Sequence, residues 1–286
     1  VSAPDAGRCV AVAPTAVDPS GEDRTYLIDS VAFGRTLADT SHDSVDLDLD
    51  RNGRADDDLG QTLVAIFGAT LDTDLAALID AGALVQLLDV QATGVGNAGG
   101  VGVTVAQGAH LGGAGGPVAL LPDQPIGHMS GSIVGGHLWA GPGSAPIAVT
   151  FPGLDRPLVV HLVAARIDAD LDENGMTGRI GGVIRPEEVE GSLLPAVQLG
   201  LAGTVASDCP AGVCRKGSLG AVLLQVLDQN HDGVISLDEV RSSAAVQAIL
   251  EPDLDVFDAS GAYDPRCDGK RDGLSVGVRF SATRVH

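Results

Sequence analysis

The sequence predicts a mainly β protein, a β-sandwich or jelly-roll-like body with a small helical subdomain inserted late in the chain. Three observations carry that prediction. Glycine is 39 of 286 residues while aromatics are only 3% and hydrophobic residues 44%, so short apolar runs are repeatedly cut by turn formers, as in proteins of many short strands. Residues 101–184 supply a long succession of such runs. Finally, Leu274, Val276, Val278, Phe280 and Ala282 alternate with Ser275, Gly277, Arg279, Ser281 and Thr283, the period-two pattern of a half-buried strand.

Residues 1–24 mix Ala, Pro, Asp and Ser and read as an irregular N-terminal arm. Residues 26–33 read as a first strand, and residues 43–60 form the densest acidic stretch. Two short helical patterns follow at 59–67 and 71–79, with Asp72 and Asp74 early in the second, where the helix dipole favours negative charge. Strand character returns at 83–92 and continues through 101–106, 118–121, 130–139, 147–151, 158–167 and 176–184. Residues 158–167 are apolar on both parities, as expected of a strand covered on two faces, so they are expected at the centre of a sheet. Arg185-Pro186 opens a helical region, because proline disfavours helix in the residue before it and suits the first helical position. That region runs to about residue 250, with breaks expected near Pro195 and around 209–214. The organisation expected is therefore an arm (1–24), a β body (25–184), a helical subdomain (185–252) and a return to the body with a closing strand (253–286).

Charge narrows the function classes. Lys and Arg total 17 against 38 for Asp and Glu, a formal net charge of −21, whereas binding to nucleic acid or anionic membrane needs a positive face. No nucleic-acid partner is expected. The most apolar stretch, 193–206, is interrupted by Pro195, Gln198, Gly200 and Gly203, so no membrane span is expected either. The acid is 31 Asp to 7 Glu, and the only lysines are Lys216 and Lys270. Aspartate favours turns and short-reach oxygen ligation, so the bias suggests a loop-rich, cation-binding protein. Of the four cysteines, Cys209 and Cys214 flank a turn-prone spacer, and Cys9 and Cys267 sit near opposite ends. Pairings Cys209–Cys214 and Cys9–Cys267 are favoured among the three that four cysteines allow, with four buried thiols as the alternative. Disulfides and an acidic surface suit a secreted or cell-envelope location.

The strongest motif is Asp228-Gln229-Asn230-His231-Asp232-Gly233-Val234-Ile235-Ser236-Leu237-Asp238-Glu239. Oxygen side chains stand at positions 1, 3 and 5 (Asp228, Asn230, Asp232), glycine at 6, a backbone carbonyl at 7 (Val234), a hydroxyl at 9 (Ser236) and a glutamate at 12 (Glu239). This loop resembles the EF-hand calcium loop at every diagnostic position. Leu219, Val222, Leu223, Val226 and Leu227 give the preceding segment one apolar face, with Ser218 placed to cap it. EF-hands usually pair, and no second complete loop is present, so the resemblance implies a calcium clamp more than a switch. Such a protein is similar to secreted bacterial-type proteins that carry an EF-hand.

A second stretch, Asp48-Leu49-Asp50-Arg51-Asn52-Gly53-Arg54-Ala55-Asp56, looks like the shorter DxDxDGxxD loops of extracellular calcium proteins, with Asp48, Asp50, Asn52 and Asp56 as ligands. Position 12 counted from Asp48 is Leu59, so the helix-loop-helix version fails here, and Asp57 or Asp58 could add charge. Residues 170–175 begin in the same way, but Asn174-Gly175 between two strand patterns is primarily a hairpin signal. Residues 264–272 have Arg266 where a ligand belongs, and a disulfide-tethered turn is expected there.

Signals for catalysis are weak, and no catalytic residue is assigned. The GxGxxG match at 94–99 precedes a strand pattern where a dinucleotide site needs a helix. His128, His137 and His161 lie in the β region and could converge on a metal, although His161 on a central strand reads better as a hydrogen-bonded core residue. Trp139, the only tryptophan, reads as a core aromatic at a strand end, with a sugar platform as the alternative. The function expected is calcium binding that stabilises an extracellular β module, with carbohydrate or a cell-surface protein as candidate partners in adhesion or matrix association. A calcium-dependent hydrolase or lyase acting on carbohydrate or ester, and a calcium sensor, are the alternatives.

Overall fold

A computed structural model describes residues 17–18, 20–33, 47–50, 52, 56–67, 70–113, 115–150, 157–258, 260–265 and 268–285. Cys9 and Cys267, and with them their proposed pairing, lie outside these residues, as do Arg266 and most of the N-terminal arm.

Nine strands form, β1 (Glu22–Ala32), β2 (Gln86–Ala92), β3 (Asn97–His110), β4 (Val118–Leu120), β5 (Ile126–Val134), β6 (His137–Val149), β7 (Leu158–Leu171), β8 (Gly175–Ile184) and β9 (Leu274–Arg284). Each pairs antiparallel with its neighbour in the order β2-β1-β9-β8-β7-β6-β5-β3-β4, and β2 also pairs with β3. That last pairing, Gln86↔Gln107 through Gln91↔Gly102, closes eight strands into an up-and-down barrel, with β4 hanging on β3 outside the ring. The expected sandwich or jelly roll is therefore wrong. Both alternatives require two sheets facing each other, whereas here one sheet meets itself and its inner face becomes a single core.

Alternation decides what points inward. Val101, Val103 and Val105 of β3, Leu138 and Ala140 of β6, Ile167 and Ala169 of β7, and Val278, Phe280 and Ala282 of β9 are all buried in one cluster. The intervening outward positions carry Thr104, His128, Arg179 and Arg279. Leu162 has 0% exposure in this cluster, and Leu162→Ala would cost about 2–5 kcal/mol through lost transfer energy and a residual cavity. The glycine excess does more than form turns. A Cβ on Gly131 would lie 1.9 Å from the Trp139 carbonyl oxygen, and one on Gly143 would lie 2.2 Å from that of His128. At these positions β5 and β6 approach too closely for any side chain, which suits the tight coiling of a small barrel.

β7 is apolar on both parities for a different reason from a central position in an open sheet. Its inner side chains join the barrel core, while Val163 and Ala164, with Val183 of β8, meet Leu47, Leu49, Leu254, Val256, Phe257 and Tyr263 in a second cluster. Two loop segments thus cover the outer wall of β7 and β8.

Helices α1 (Asp58–Phe67) and α2 (Thr70–Asp80) lie between β1 and β2 and contribute Leu59, Leu63, Val64, Leu71 and Leu75 to the main core. Between β8 and β9 lies a helical insertion. Its first helix, α3, runs unbroken from Pro186–Asp208. The break expected near Pro195 is replaced by a wide turn at Val189–Leu193, just before the proline that cannot donate a backbone hydrogen bond. By length and composition α3 could cross a membrane, and its Leu194, Ala196, Leu201 and Val205 are buried. The insertion continues with α4 (Leu219–Leu227), α5 (Leu237–Ser242) and α6 (Ala244–Ile249). Between α3 and α4, Cys209 and Cys214 form a disulfide.

Candidate metal centres

The loop between α4 and α5 is shaped by its own aspartates. Ser218 caps α4 by accepting from Ala221 N, and α4 ends at Asp228. One Asp228 oxygen accepts from Asp232 N at 3.1 Å and the other from Gly233 N at 2.8 Å. The Asn230 oxygen accepts from Asp232 N at 2.9 Å, and Asp232 Oδ1 accepts from Val234 N at 2.8 Å. His231 at φ 60° and Gly233 at φ 84° reverse the chain, and the second of these is the position where glycine alone carries no steric cost. Glu239 closes the loop from the third position of α5. Its Oε1 accepts from Gln229 N at 2.9 Å and Asn230 N at 3.3 Å, and its Oε2 accepts from Ser236 N at 2.9 Å and Ser236 Oγ at 2.8 Å. Together with the reverse contact from Glu239 N to Ser236 Oγ, this is a capping box. The Ser236 amide and hydroxyl, followed by the other two amides, hold the Glu239 carboxyl below the ordinary glutamate range. Ile235 is fully buried, and Gln198 of α3 donates to its carbonyl at 2.7 Å, which ties the loop to the longest helix.

The second loop sits on the barrel wall. Arg166, at the β7 register shift, donates from Nη1 to the Asp48 carbonyl at 2.5 Å and from Nη2 to the Leu49 carbonyl at 3.2 Å. Tyr263 donates to the same Leu49 carbonyl at 3.2 Å and accepts from Arg166. Leu47 bridges to Asp56, and both Leu47 and Leu49 are buried in the second cluster. So anchored, Asp48, Asp50 and Asp56 bring carboxylate oxygens within 4.8 Å of one another, the one group of three or more potential Asp, Glu, His or Cys ligands this close among the described residues. Asn52 lies in the same turn, its backbone N donating to Asp48 and Asp50 at 2.9 Å each and its amide nitrogen to Asp50.

Electrostatics differ at this second site. Asp56 is pushed up to about 6, chiefly by burial and further by Asp50 and Asp253, against the opposing effect of the Leu49 and Asp50 amides. Three ionised groups at this separation repel by about 1 kcal/mol per pair even at the dielectric constant of water, and by more where the site is dry. Beside the cluster, Asp58 N donates to Ser275 Oγ at 2.8 Å, and Ser275 donates through N and Oγ to Asp253 at 2.7 and 2.6 Å. Asp57 accepts from Gly60 and Gly277 at 3.0 and 2.9 Å. Burial pushes Asp253 and Asp58 up as well.

Both loops offer only hard oxygen donors. The first would present Asp228, Asn230, Asp232, the Val234 carbonyl, Ser236 and Glu239, and the second Asp48, Asp50, Asn52 and Asp56. That chemistry fits calcium, and the absence of thiol or imidazole from either set argues against zinc.

The other candidates resolve differently. Residues 170–175 form the β7–β8 hairpin, with Asp172 accepting from Asn174 N and Gly175 N at 2.7 and 2.9 Å. The glycine-rich 94–99 segment links antiparallel β2 and β3. The three histidines do not converge. His128 meets Thr104, His137 sits between Asp168 and Asp170, and His161 meets Glu188. His161 is exposed where a core residue was expected, because its parity on β7 faces outward. Trp139 is likewise 54% exposed and not a core aromatic. Sequence reasoning missed Arg166, Tyr263 and Asp253 entirely. An arginine inside an apolar strand was the available signal for the first, and the Asp253-x-Asp255 spacing for the last. No protein-family model, curated protein or solved structure matches the chain.

Proposed function

We propose that this chain is a calcium-binding protein of an oxidising, extracytoplasmic setting, secreted or held at the cell envelope, in which calcium stabilises a barrel-shaped binding or structural module. The observation that carries the reading is the convergence of Asp48, Asp50 and Asp56 within 4.8 Å, with Asp56 pushed up to about 6. Clustered carboxylates, two of them buried (Asp50 and Asp56), on a loop whose backbone carbonyls are anchored by Arg166 and Tyr263, are costly without a cation and favourable with one. The 228–239 loop supports the same reading through its EF-hand-like spacing and its glutamate returned over the loop. Its anchoring to α3 through Gln198, and an exiting helix α5 of six residues, favour a fixed clamp over a sensor that opens. The Cys209–Cys214 disulfide supports an oxidising compartment. An apolar barrel interior with charged outward rungs, the inverse of a lipid-facing barrel, supports a water-facing module.

Native mass spectrometry in millimolar calcium, paired with thermal melts with and without chelator, tests the reading. Two bound ions and a melting temperature lowered by chelation are expected. A folded, ion-free protein whose melting ignores the chelator would overturn it.

A further inference from the structure

We propose that the outer wall of the barrel across β6, β7 and β8 is a binding site for a neutral saccharide, with Trp139 as its stacking platform. The inference rests on side chains remote in sequence from both calcium loops and does not depend on calcium.

The argument begins with strand register. Trp139 of β6 lies opposite Asp168 of β7, Asp168 opposite Arg179 of β8, and Arg179 opposite Arg279 of β9. Two residues along, Val134 of β5 lies opposite His137, His137 opposite Asp170, Asp170 opposite Thr177, and Thr177 opposite Ser281. Because side chains alternate, these two rungs share the outer face. They form an apolar end (Val134 and Trp139) beside a polar end.

The polar end is organised before any ligand arrives. The Asp168 side chain is only 6% exposed, held by His137 Nε2 at 2.9 Å on one oxygen and by Arg179 Nη2 at 2.6 Å on the other. The other ring nitrogen of His137 meets Asp170 at 2.7 Å. The imidazole leans on the indole with ring centroids 5.0 Å apart and planes tilted by 59°. This chain of contacts orders His137 beneath the indole and leaves Trp139 54% exposed, the only Trp, Tyr or Phe so exposed among the described residues. One exposed apolar side chain is ordinary on a protein surface; what points to a ligand is an exposed indole held against an organised row of His137, Asp168, Asp170 and Arg179, an apolar face beside polar groups.

Shape and charge indicate the ligand class. A depression of about 330 Å³ lies among His137, Asp168, Asp170, Thr177, Arg179 and Arg279. A second, of about 600 Å³, shares Asp170 and Thr177 with it and extends to Asp29, Ser281 and Thr283. A pyranose has an apolar face of C–H groups and a rim of hydroxyls that both donate and accept. The indole suits the face, the carboxylates of Asp170 and Asp29 suit hydroxyl donors, and the guanidinium of Arg279 suits hydroxyl acceptors. An anionic sugar is disfavoured by Asp29, Asp170 and Asp172 in the trough and by a net charge of −21. The continuous depressions give room for more than one sugar unit. Closure of the ring leaves no open strand edge at β6–β8, so recognition here must run through side chains and not through strand addition.

Trp139 is the only tryptophan, so its emission reports this site alone. Hexasaccharides built from glucose, mannose, galactose or N-acetylglucosamine are titrated into the full chain, with oligogalacturonate as the anionic comparison. At least one neutral series is expected to shift the emission saturably, at concentrations up to about 10 mM. Calorimetry then compares variants. Trp139→Ala is expected to weaken binding on the order of tenfold or more, and Asp170→Asn, at a side chain that is 85% exposed, to weaken it as well with native circular dichroism retained. His161→Ala, exposed elsewhere on the barrel, serves as the unchanged control. No response to any neutral series, a response to the anionic sugar alone, or full affinity retained in Trp139→Ala with native circular dichroism would each overturn the proposal.

Discussion

The two acidic loops share a spelling and differ in how they bear their charge. In the 228–239 loop Asp228, Asp232 and Glu239 accept backbone amides from within the loop, and Glu239 is held below its ordinary range by four donors. In the 48–56 loop Asp56 is buried with Asp50 and Asp253 nearby and is pushed up to about 6. Amide donation lets the first loop keep its shape as an anion. In the second, amides also reach Asp48, Asp50 and Asp56, but at Asp56 burial outweighs them, and a proton or a cation there relieves the cost. The contrast teaches that ligand spacing alone does not tell a pre-shaped site from a conditional one; the surroundings of the carboxylates do.

The comparison can be broken most forcefully by removing calcium. If both loops bind in the range of extracellular sites, chelation should lower the melting temperature by about 5–10 °C, and differential scanning calorimetry reads this directly. Next, substitutions in the two loops should act with opposite sign on the calcium-free protein. Asp228→Ala or Glu239→Ala should lower its melting temperature, because the loop amides lose their acceptors. Asp56→Asn should raise its stability by about 1–2 kcal/mol, allowing for the part of the carboxylate that water still screens, while abolishing ion binding at that loop. Equal destabilisation by both would erase the distinction.

pH sharpens it further. The folded pKa of Asp56 lies above its unfolded value of 3.8, so the folded state binds more protons between about pH 4 and pH 6. Its contribution to the stability of the calcium-free protein is therefore present below about pH 4 and lost as the pH rises through 6. Calcium competes with that proton, so ion binding at the 48–56 loop should weaken as the pH falls below about 6, while the 228–239 loop, with Glu239 shifted the other way, should hold its ion to lower pH. Isothermal titration at pH 7 and pH 5 counts the sites that survive. The smallest effect concerns anchoring. Tyr263→Phe removes the hydroxyl shared by Arg166 and the Leu49 carbonyl, and should cost about 1 kcal/mol and lower affinity at the 48–56 loop alone.

Local pattern made the strand-rich character, the grouping of Asp48, Asp50 and Asp56 and the Cys209–Cys214 pairing readable, because each depends on residues close together in the chain. Barrel closure was not readable. It depends on β2 pairing with β3 as well as β1, and an alternating strand looks the same whether its sheet closes or faces a second sheet. The two-sided apolarity of residues 158–167 was real but came from loop residues such as Leu49 and Phe257 packing on the outer wall. Trp139 was misplaced although its parity was visible. It falls in step with His137 and out of step with the buried Leu138 and Ala140, and its size outweighed that signal.

Within the ring β1 pairs with β9, Tyr26↔Arg284 through Ala32↔Arg279, residues separated by nearly the whole described chain. A ribosome emitting this polypeptide from its N-terminus therefore releases a curved, unclosed ribbon until β9 emerges. Such distant pairing makes folding slow, because the entropy of closing so long a loop is lost before the contact rewards it.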